Sequence, residues 1–424
     1  MNYTEAKEFL SAASARGSIL GLERVKELLA LLGQPQEKVK IIHVAGTNGK
    51  GSFGAMLTSV LTEAGYKTGG FSSPAITDIT DSYRINCNEI TKERFAEIIG
   101  IIAPVCEKMA EKPTEFEIMA AAAYVLFAEE GCDAAVVECG MGGDTDATNV
   151  MEKPVLSVIT NVQSDHCGFL GNTIGEIAVH KSGIIKHGCP AYFGDTAPDA
   201  LKVVKAKADE MSAPLTIADD SEISDARYSL GEIGFRWHGA EYSIPLCGSY
   251  QVKNALNVLN CVEILNGNGF NISDTALKNG LMKTKWHGRF EILRREPLVI
   301  FDGAHNPDGI RFAADTISRY FSGKSAILIG VMADKEYGLY ADMLGKFIDK
   351  AFTVKPDNPR ALDSDVLANV FLEKGIPAQS FEVLKNGVNA AYSYAKEKNI
   401  PLIALGSLYM YREFVEALHE CATT

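Results

Sequence analysis

The chain has 424 residues, 46% of them hydrophobic, which is more than a single core usually sustains, so two domains with a full core each are expected. A formal net charge of −13 argues against a broad electrostatic footprint for nucleic acid or an anionic membrane, so any anionic ligand must be held by local positive groups. The nine cysteines are scattered without a C-x-x-C pair, the start lacks the basic and apolar blocks of a signal peptide, and the longest apolar run, 118–128, is too short to span a bilayer; a reduced, cytoplasmic setting is expected.

The run 39–44 reads as a buried strand, and 53–61 carries apolar residues at helical spacing. Between them stands Ala45-Gly46-Thr47-Asn48-Gly49-Lys50-Gly51-Ser52, a glycine-rich turn that aims backbone N–H groups and the positive end of a helix dipole at one point. Phosphate suits that point. Lys50 can neutralise outer phosphates, and the hydroxyl of Thr47 or Ser52 can bond phosphate or a metal ion. Gly51 separates Lys50 from Ser52, which departs from the common nucleotide-triphosphatase spacing.

Further strands are expected at 133–138 and 155–160, each ending in a polar or glycine-rich loop. In open α/β sheets ligands gather outside the carboxyl ends of strands, so Gly46, Glu138 and residues 161–166 are expected at one crevice. Glu138 is followed by Cys139-Gly140-Met141-Gly142-Gly143, which leaves room for Mg²⁺ and phosphates beside its carboxylate; the alternative is a carboxylate solvated at a strand end. His166 reads as a second metal ligand, a donor to phosphate, or a structural histidine.

The stretch 192–250 reads as an irregular excursion on the first domain, followed by a helix at 252–265 and a basic turn, Lys283-Thr284-Lys285-Trp286-His287-Gly288-Arg289. There the domains are divided, 1–290 and 291–424. In the second, strands at 298–301, 327–330 and 402–407 are expected, and Asp302-Gly303-Ala304-His305-Asn306-Pro307 follows the first of them. Asp302 can accept from ribose hydroxyls and His305 can bond phosphate, while Asp302 or Asn306 can instead cap a helix with Pro307 in its first turn. The fold class is α/β: an N-terminal P-loop-type domain with a mostly parallel sheet and a smaller Rossmann-like C-terminal domain. No G-x-G-x-x-G follows a strand, which argues against a dinucleotide oxidoreductase.

With these residues assembled, nearly the whole chain resembles the folylpolyglutamate synthase and dihydrofolate synthase family within the Mur-ligase-like amide ligases. The resemblance rests on Leu20-Gly21-Leu22-Glu23-Arg24-Val25, the loop 46–52, Ser73-Pro74, Phe116-Glu117, Asp146-Ala147-Thr148-Asn149 and Asp165-His166. It continues through Lys181-Ser182-Gly183-Ile184-Ile185-Lys186, Gly288-Arg289, 302–307 and Gly406-Ser407-Leu408-Tyr409.

The resemblance implies ATP-dependent joining of L-glutamate to a folate or to dihydropteroate through an acyl phosphate. It implies ATP on Thr47, Asn48, Gly49, Lys50, Gly51, Ser52, Asn254, Arg289 and Asp302, Mg²⁺ on Ser73, Glu138 and His166, and a second Mg²⁺ on a carbamylated Lys181. Phe116, Asp146, His305 and Ser407 would lie on the substrate side, and Lys50, Glu138, His166, Lys181 and Arg289 would carry the chemistry.

Three positions depart from the commonest family pattern: Ala75-Ile76 replaces His-Leu, Tyr83 replaces a glutamate, and Asp144-Thr145-Asp146 replaces Arg-Leu-Asp. The last reverses charge on the pterin or carboxylate side, which bears on substrate preference. A Mur-type ligase acting on another carboxylate is the nearest alternative, and a nucleotide-binding regulatory protein is the rival of another class. The expected enzyme is a cytoplasmic monomer that engages small molecules, with neither nucleic acid nor membrane as partner.

Overall fold

A computed structural model describes residues 1–17, 19–164 and 167–421, with the backbone alone at Cys167 and Gly168. These form two compact units, Met1–Glu222 with Asn254–Thr284, and Ile223–Lys253 with Lys285–Thr424.

The first unit is built on β1 (Lys40–Ala45), β2 (Thr68–Phe71), β3 (Tyr83–Ile85), β4 (Asn88–Glu89), β5 (Ala134–Glu138), β6 (Leu156–Ile159), β7 (Ala191–Phe193) and β8 (Leu215–Ile217). Their order is β4-β3-β2-β5-β1-β6-β7-β8, parallel from β2 to β8, with an antiparallel edge at β3 and β4. Every residue of β5 and all of β1 after Lys40 are buried, as expected of parallel strands covered on both faces. One cover is the helix Glu115–Glu129, capped reciprocally by Thr114 and Glu117 and buried from Glu117 through Phe127. The apolar run at 118–128 is therefore a core helix, and among the described residues no helix is long and apolar enough to cross a membrane.

Register sets the site. Phe71 pairs with Val137, and Val44 pairs with both Glu138 and Val158, so β2, β5, β1 and β6 end level with one another. The segments that follow them, around Ser73, Cys139, Gly46 and Thr160, emerge at one edge.

The second unit combines an antiparallel meander, β9 (Ile223–Ser229), β10 (Glu232–Trp237) and β11 (Ala240–Ile244), with a six-stranded sheet. That sheet comprises β12 (Glu291–Arg295), β13 (Leu298–Phe301), β14 (Ser325–Ile329), β15 (Ile348–Val354), β16 (Ala378–Phe381) and β17 (Leu402–Leu405), ordered β12-β13-β17-β14-β15-β16 and antiparallel only at β12.

The excursion at 192–250 does not belong wholly to the first domain. β7 and β8 extend the first sheet, whereas 223–253 packs with the second unit. Its aromatic and apolar side chains explain this: Tyr228 meets Tyr320 edge-on at 6.5 Å, Arg319 lies 5.0 Å from the Tyr228 ring, and Leu230 and Cys247 join the second core. The chain last passes between units at 284/285.

Candidate active site

The helix Lys50–Glu63 opens after Gly49, which stands at the N-cap with φ +86° and no side-chain cap. Its first N–H groups thus lack intrahelical acceptors and carry the positive end of the dipole. Glycine is needed at 49 twice over, for the left-handed backbone and because a methyl there would lie 2.4 Å from Asn254 Oδ1. Asn254 therefore lies against the loop. Lys50 folds back across it: Nζ donates to the carbonyls of Gly46 at 3.0 Å and Thr47 at 3.4 Å, and lies 3.8 Å from Glu138 Oε1.

The polar groups of Thr47 and Asn48 hold the loop in shape. Asn161 Oδ1 accepts from the N–H groups of Thr47 at 3.2 Å and Asn48 at 2.9 Å. The Thr47 hydroxyl donates to Gln163 O and accepts from Gln163 N–H, while Asn48 Nδ2 donates to Gln163 Oε1. Thr160 Oγ1 donates to Asn48 O at 2.7 Å. The segment after β6 is thus the scaffold of the phosphate loop. In sequence its place at a strand end was the only signal; nothing marked Thr160, Asn161 or Gln163 individually.

Glu138 ends β5 and is 8% exposed, and Ser73 stands two residues past Phe71 on the neighbouring strand. Lys181 is 3% exposed on the last turn of the helix Ile174–Ser182. His166 lies outside the described residues. Among the described residues no three His, Cys, Asp or Glu side chains converge as a metal site. A hard cation that takes one carboxylate, a hydroxyl, waters and phosphate oxygens fits Glu138 and Ser73, whereas a zinc site closed by four protein ligands does not.

Phe116 lies on the turn after Glu138: a methyl on Gly140 would come within 2.4 Å of its Cζ. Asp146 turns inward. It is 6% exposed and accepts from Met141 N–H at 2.8 Å, Thr148 N–H at 3.0 Å and Thr148 Oγ1 at 2.5 Å, while burial pushes its carboxyl upward against those bonds. Thr148 Oγ1 lies 2.9 Å from Nε2 of the fully buried His43, and Cys139 Sγ lies 3.1 Å from the same nitrogen. With the Thr148 hydroxyl given to Asp146, His43 Nε2–H donates to Thr148, and the orphaned Nδ1 presents a lone pair in place of a buried N–H.

In the second unit, Phe301 pairs with Ala404 and Ile329 with Leu405, so Asp302, Gly330 and Ser407 share the carboxyl edge of their sheet. Asp302 is buried and its oxygens are taken: Oδ2 accepts from Tyr250 O–H at 2.7 Å and Phe290 N–H at 3.0 Å, and Oδ1 from Ala304 N–H at 2.8 Å. Burial raises its carboxyl pKa, and these donors with nearby Arg289 oppose that rise. Asp302 therefore fixes the chain just after Arg289 through Phe290 N–H, Gly303 N–H donates to Gly288 O at 2.9 Å just before it, and the Arg289 guanidinium rests on Gly303, where a methyl would lie 2.5 Å from Nη1. Tyr250 escaped the sequence reading. Asn306 takes the helix N-cap, accepting from Gly309 N–H at 2.7 Å with Pro307 in the first turn. His305 Nδ1 donates to Gly303 O at 2.8 Å, and Ser407 caps the short turn Leu408–Met410.

Residues 44–262 match the Mur ligase middle domain, and residues 288–407 match the Mur ligase, glutamate ligase domain. The dihydrofolate synthase/folylpolyglutamate synthase of Bacillus subtilis is 34% identical over 98% of this chain and 99% of its own length. Among solved structures, Mycobacterium tuberculosis folylpolyglutamate synthase complexed with ADP and AMPPCP superposes with TM-score 0.86 at 29% identity, covering 94% of this chain and 95% of the other. An Escherichia coli relative in complex with DHPP and ADP superposes with TM-score 0.85 at 26% identity, covering 98% of each. With both ligase domains matched and its length shared with these proteins, the chain belongs to the Mur ligase family, in the folylpolyglutamate synthase/dihydrofolate synthase group.

Proposed function

We propose that the protein is an ATP-dependent ligase that joins L-glutamate to a folate or to dihydropteroate. A carboxylate is a poor electrophile with a poor leaving group. The acid substrate therefore takes the γ-phosphoryl group of ATP on its carboxylate oxygen, and the α-amine of glutamate displaces phosphate from the acyl phosphate, leaving ADP and the new amide.

The observation that supports this reading is the loop 46–52, held in shape by Thr160, Asn161 and Gln163, with Lys50 and Glu138 3.8 Å apart beside it. The N–H groups at the start of the helix Lys50–Glu63 bind the phosphates, and the Lys50 ammonium balances their charge. Asn254 contacts the nucleotide beside Gly49, and Arg289, steadied through Asp302, adds a second cation for phosphate. Ser73, Glu138 and His166 would hold Mg²⁺, with a carbamylated Lys181 offering oxygens to a second ion; bound there, the metal neutralises phosphate charge during phosphoryl transfer. Phe116 offers an aromatic face to the acid substrate, and His305 and Ser407 are assigned to the incoming glutamate.

The enzyme is proposed to act as a cytoplasmic monomer. The location is supported by cysteines of which none is paired among the described residues.

The test is ADP and phosphate release with glutamate and either dihydropteroate or a reduced folate, followed by the mass of the product. Products heavier by whole glutamyl units support the reading. Phosphate release with neither acid points to a Mur-type ligase for another carboxylate.

A further inference from the structure

We propose that Asp144 and His180 form a clasp that positions Lys181 for carbamylation, an inference that rests on the reading of Lys181 as a carbamate. The segment that leaves Glu138 and the last turn of the helix Ile174–Ser182 are pressed together at backbone level. Asp144 N–H donates to His180 O at 2.9 Å, and Asn149 Nδ2 donates to the carbonyls of Asp144 at 3.1 Å and Gly183 at 3.2 Å. A methyl on Gly143 would lie 2.7 Å from His180 O and 3.0 Å from Lys181 O, and one on Gly183 would strike Asp144 Cβ at 2.3 Å. Neither strand of this contact can carry more bulk.

One side-chain pair spans it. His180 Nδ1–H donates to the Asp144 carboxylate at 2.9 and 3.0 Å, with both side chains 35% exposed. A pair so exposed adds little to stability, so its effect is on geometry. It fixes the turn that carries Lys181 to the segment that begins at Glu138, as an outer partner orients a metal-binding group. It also accounts for aspartate at a position where the commonest family pattern has arginine: the carboxylate is turned onto His180 and accepts its Nδ1–H.

Carbamylation forms a bond from the neutral Lys181 Nζ to the carbon of CO₂ and releases one proton to water, so the amine must be held where CO₂ can reach it and where the carbamate oxygens would be open to a cation. Loosening the clasp should lower carbamate occupancy without unfolding the protein. The measurement is ¹³C NMR of the full-length enzyme with ¹³CO₂ and Mg²⁺, alongside thermal melting. Wild type should show a carbamate resonance that Lys181→Arg lacks. Asp144→Leu, which removes the acceptor, and His180→Phe should need about tenfold more CO₂ for half occupancy, and His180→Gln, which can still donate to Asp144, should recover most of the loss. If the wild-type resonance is missing, or survives in Lys181→Arg, the carbamate reading falls and takes the clasp with it. If it is present but Asp144→Leu and His180→Phe titrate as wild type, the clasp alone is overturned. Asp144→Leu keeps the test open should His180→Phe fail to fold.

Discussion

Replacing Gly46 with alanine tests the scaffold of the phosphate loop directly. The new methyl would lie 1.9 Å from Thr160 Oγ1, 3.2 Å from Thr160 Cβ and 3.3 Å from Thr160 N. The first contact is impossible, so the Thr160 hydroxyl must leave and give up its 2.7 Å bond to Asn48 O. Thr160 is 2% exposed, so water does not readily replace that bond. Overpacking costs about 1–3 kcal/mol, and a buried acceptor left without its donor costs about 1–3 kcal/mol more. At about 2–4 °C per kcal/mol for a unit of this size, the melting midpoint should fall by about 4–24 °C. The KM for ATP should rise at least about tenfold, since Asn48 no longer holds its place beside the helix start. Thr160→Ala removes the clashing oxygen, so the double variant Gly46→Ala/Thr160→Ala should be more stable than the sum of the single changes by about 1–2 kcal/mol, with ATP affinity still impaired. Calorimetry and ATP-dependent phosphate release read both effects. Strict additivity, or a wild-type KM in Gly46→Ala, would refute the reasoning.

Lys50→Ala should lower turnover at saturating ATP by about 10²–10³-fold, the usual loss for a preorganised charge at a phosphoryl group, as read by ADP release. Tyr250→Phe removes one of the three donors to buried Asp302 and should destabilise the second unit by about 1–3 kcal/mol, seen as a lower melting midpoint. His43 is fully buried, and desolvation, with a smaller push from Lys186, lowers its pKa from 6.5 to about 3. As pH falls the unfolded chain takes up that proton first. Stability present above pH 6.5 is therefore lost between 6.5 and about 3, at up to about 1.4 kcal/mol per pH unit, and His43→Gln should flatten the melting profile across that window.

The strands that build the site were legible because both faces of a central parallel strand are buried, and continuous apolar runs result. The reading 39–44 lies one residue from β1, 133–138 adds one residue to β5, and 298–301 coincides with β13. The meander β9–β11 was less legible. Short alternating strands show that a sheet face is covered without naming the cover, and the partner, Tyr320 on the helix Pro307–Tyr320, lies nearly a hundred residues from Tyr228. The same limit hid the Tyr250–Asp302 bond, whose two ends are separated by 52 positions and share no periodicity.

Polar residues at strand ends posed a sharper ambiguity, because a carboxylate that binds a ligand and one that shapes the loop around it occupy the same kind of place in sequence. Glu138 and Asp146 illustrate the difference. Glu138 is the last residue of a strand, its neighbours' amides are committed to the sheet, and its carboxylate stands 3.8 Å from the ammonium that crosses the phosphate loop. Asp146 sits inside the turn that Glu138 begins, where the N–H groups of Met141 and Thr148 need acceptors once the chain buries them, and the carboxylate turns inward to meet them. The backbone's hydrogen-bond demand, which depends on burial and not on residue type, decides between the two roles. Asp302 repeats the case in the second unit, where Phe290 and Ala304 supply the N–H groups and Arg289 immediately precedes the first of them. A chain of net charge −13 that handles a polyphosphate thus spends some of its carboxylates on aiming its few well-placed cations and helix-start amides. Removing such a carboxylate should displace the cation as well as change the local charge.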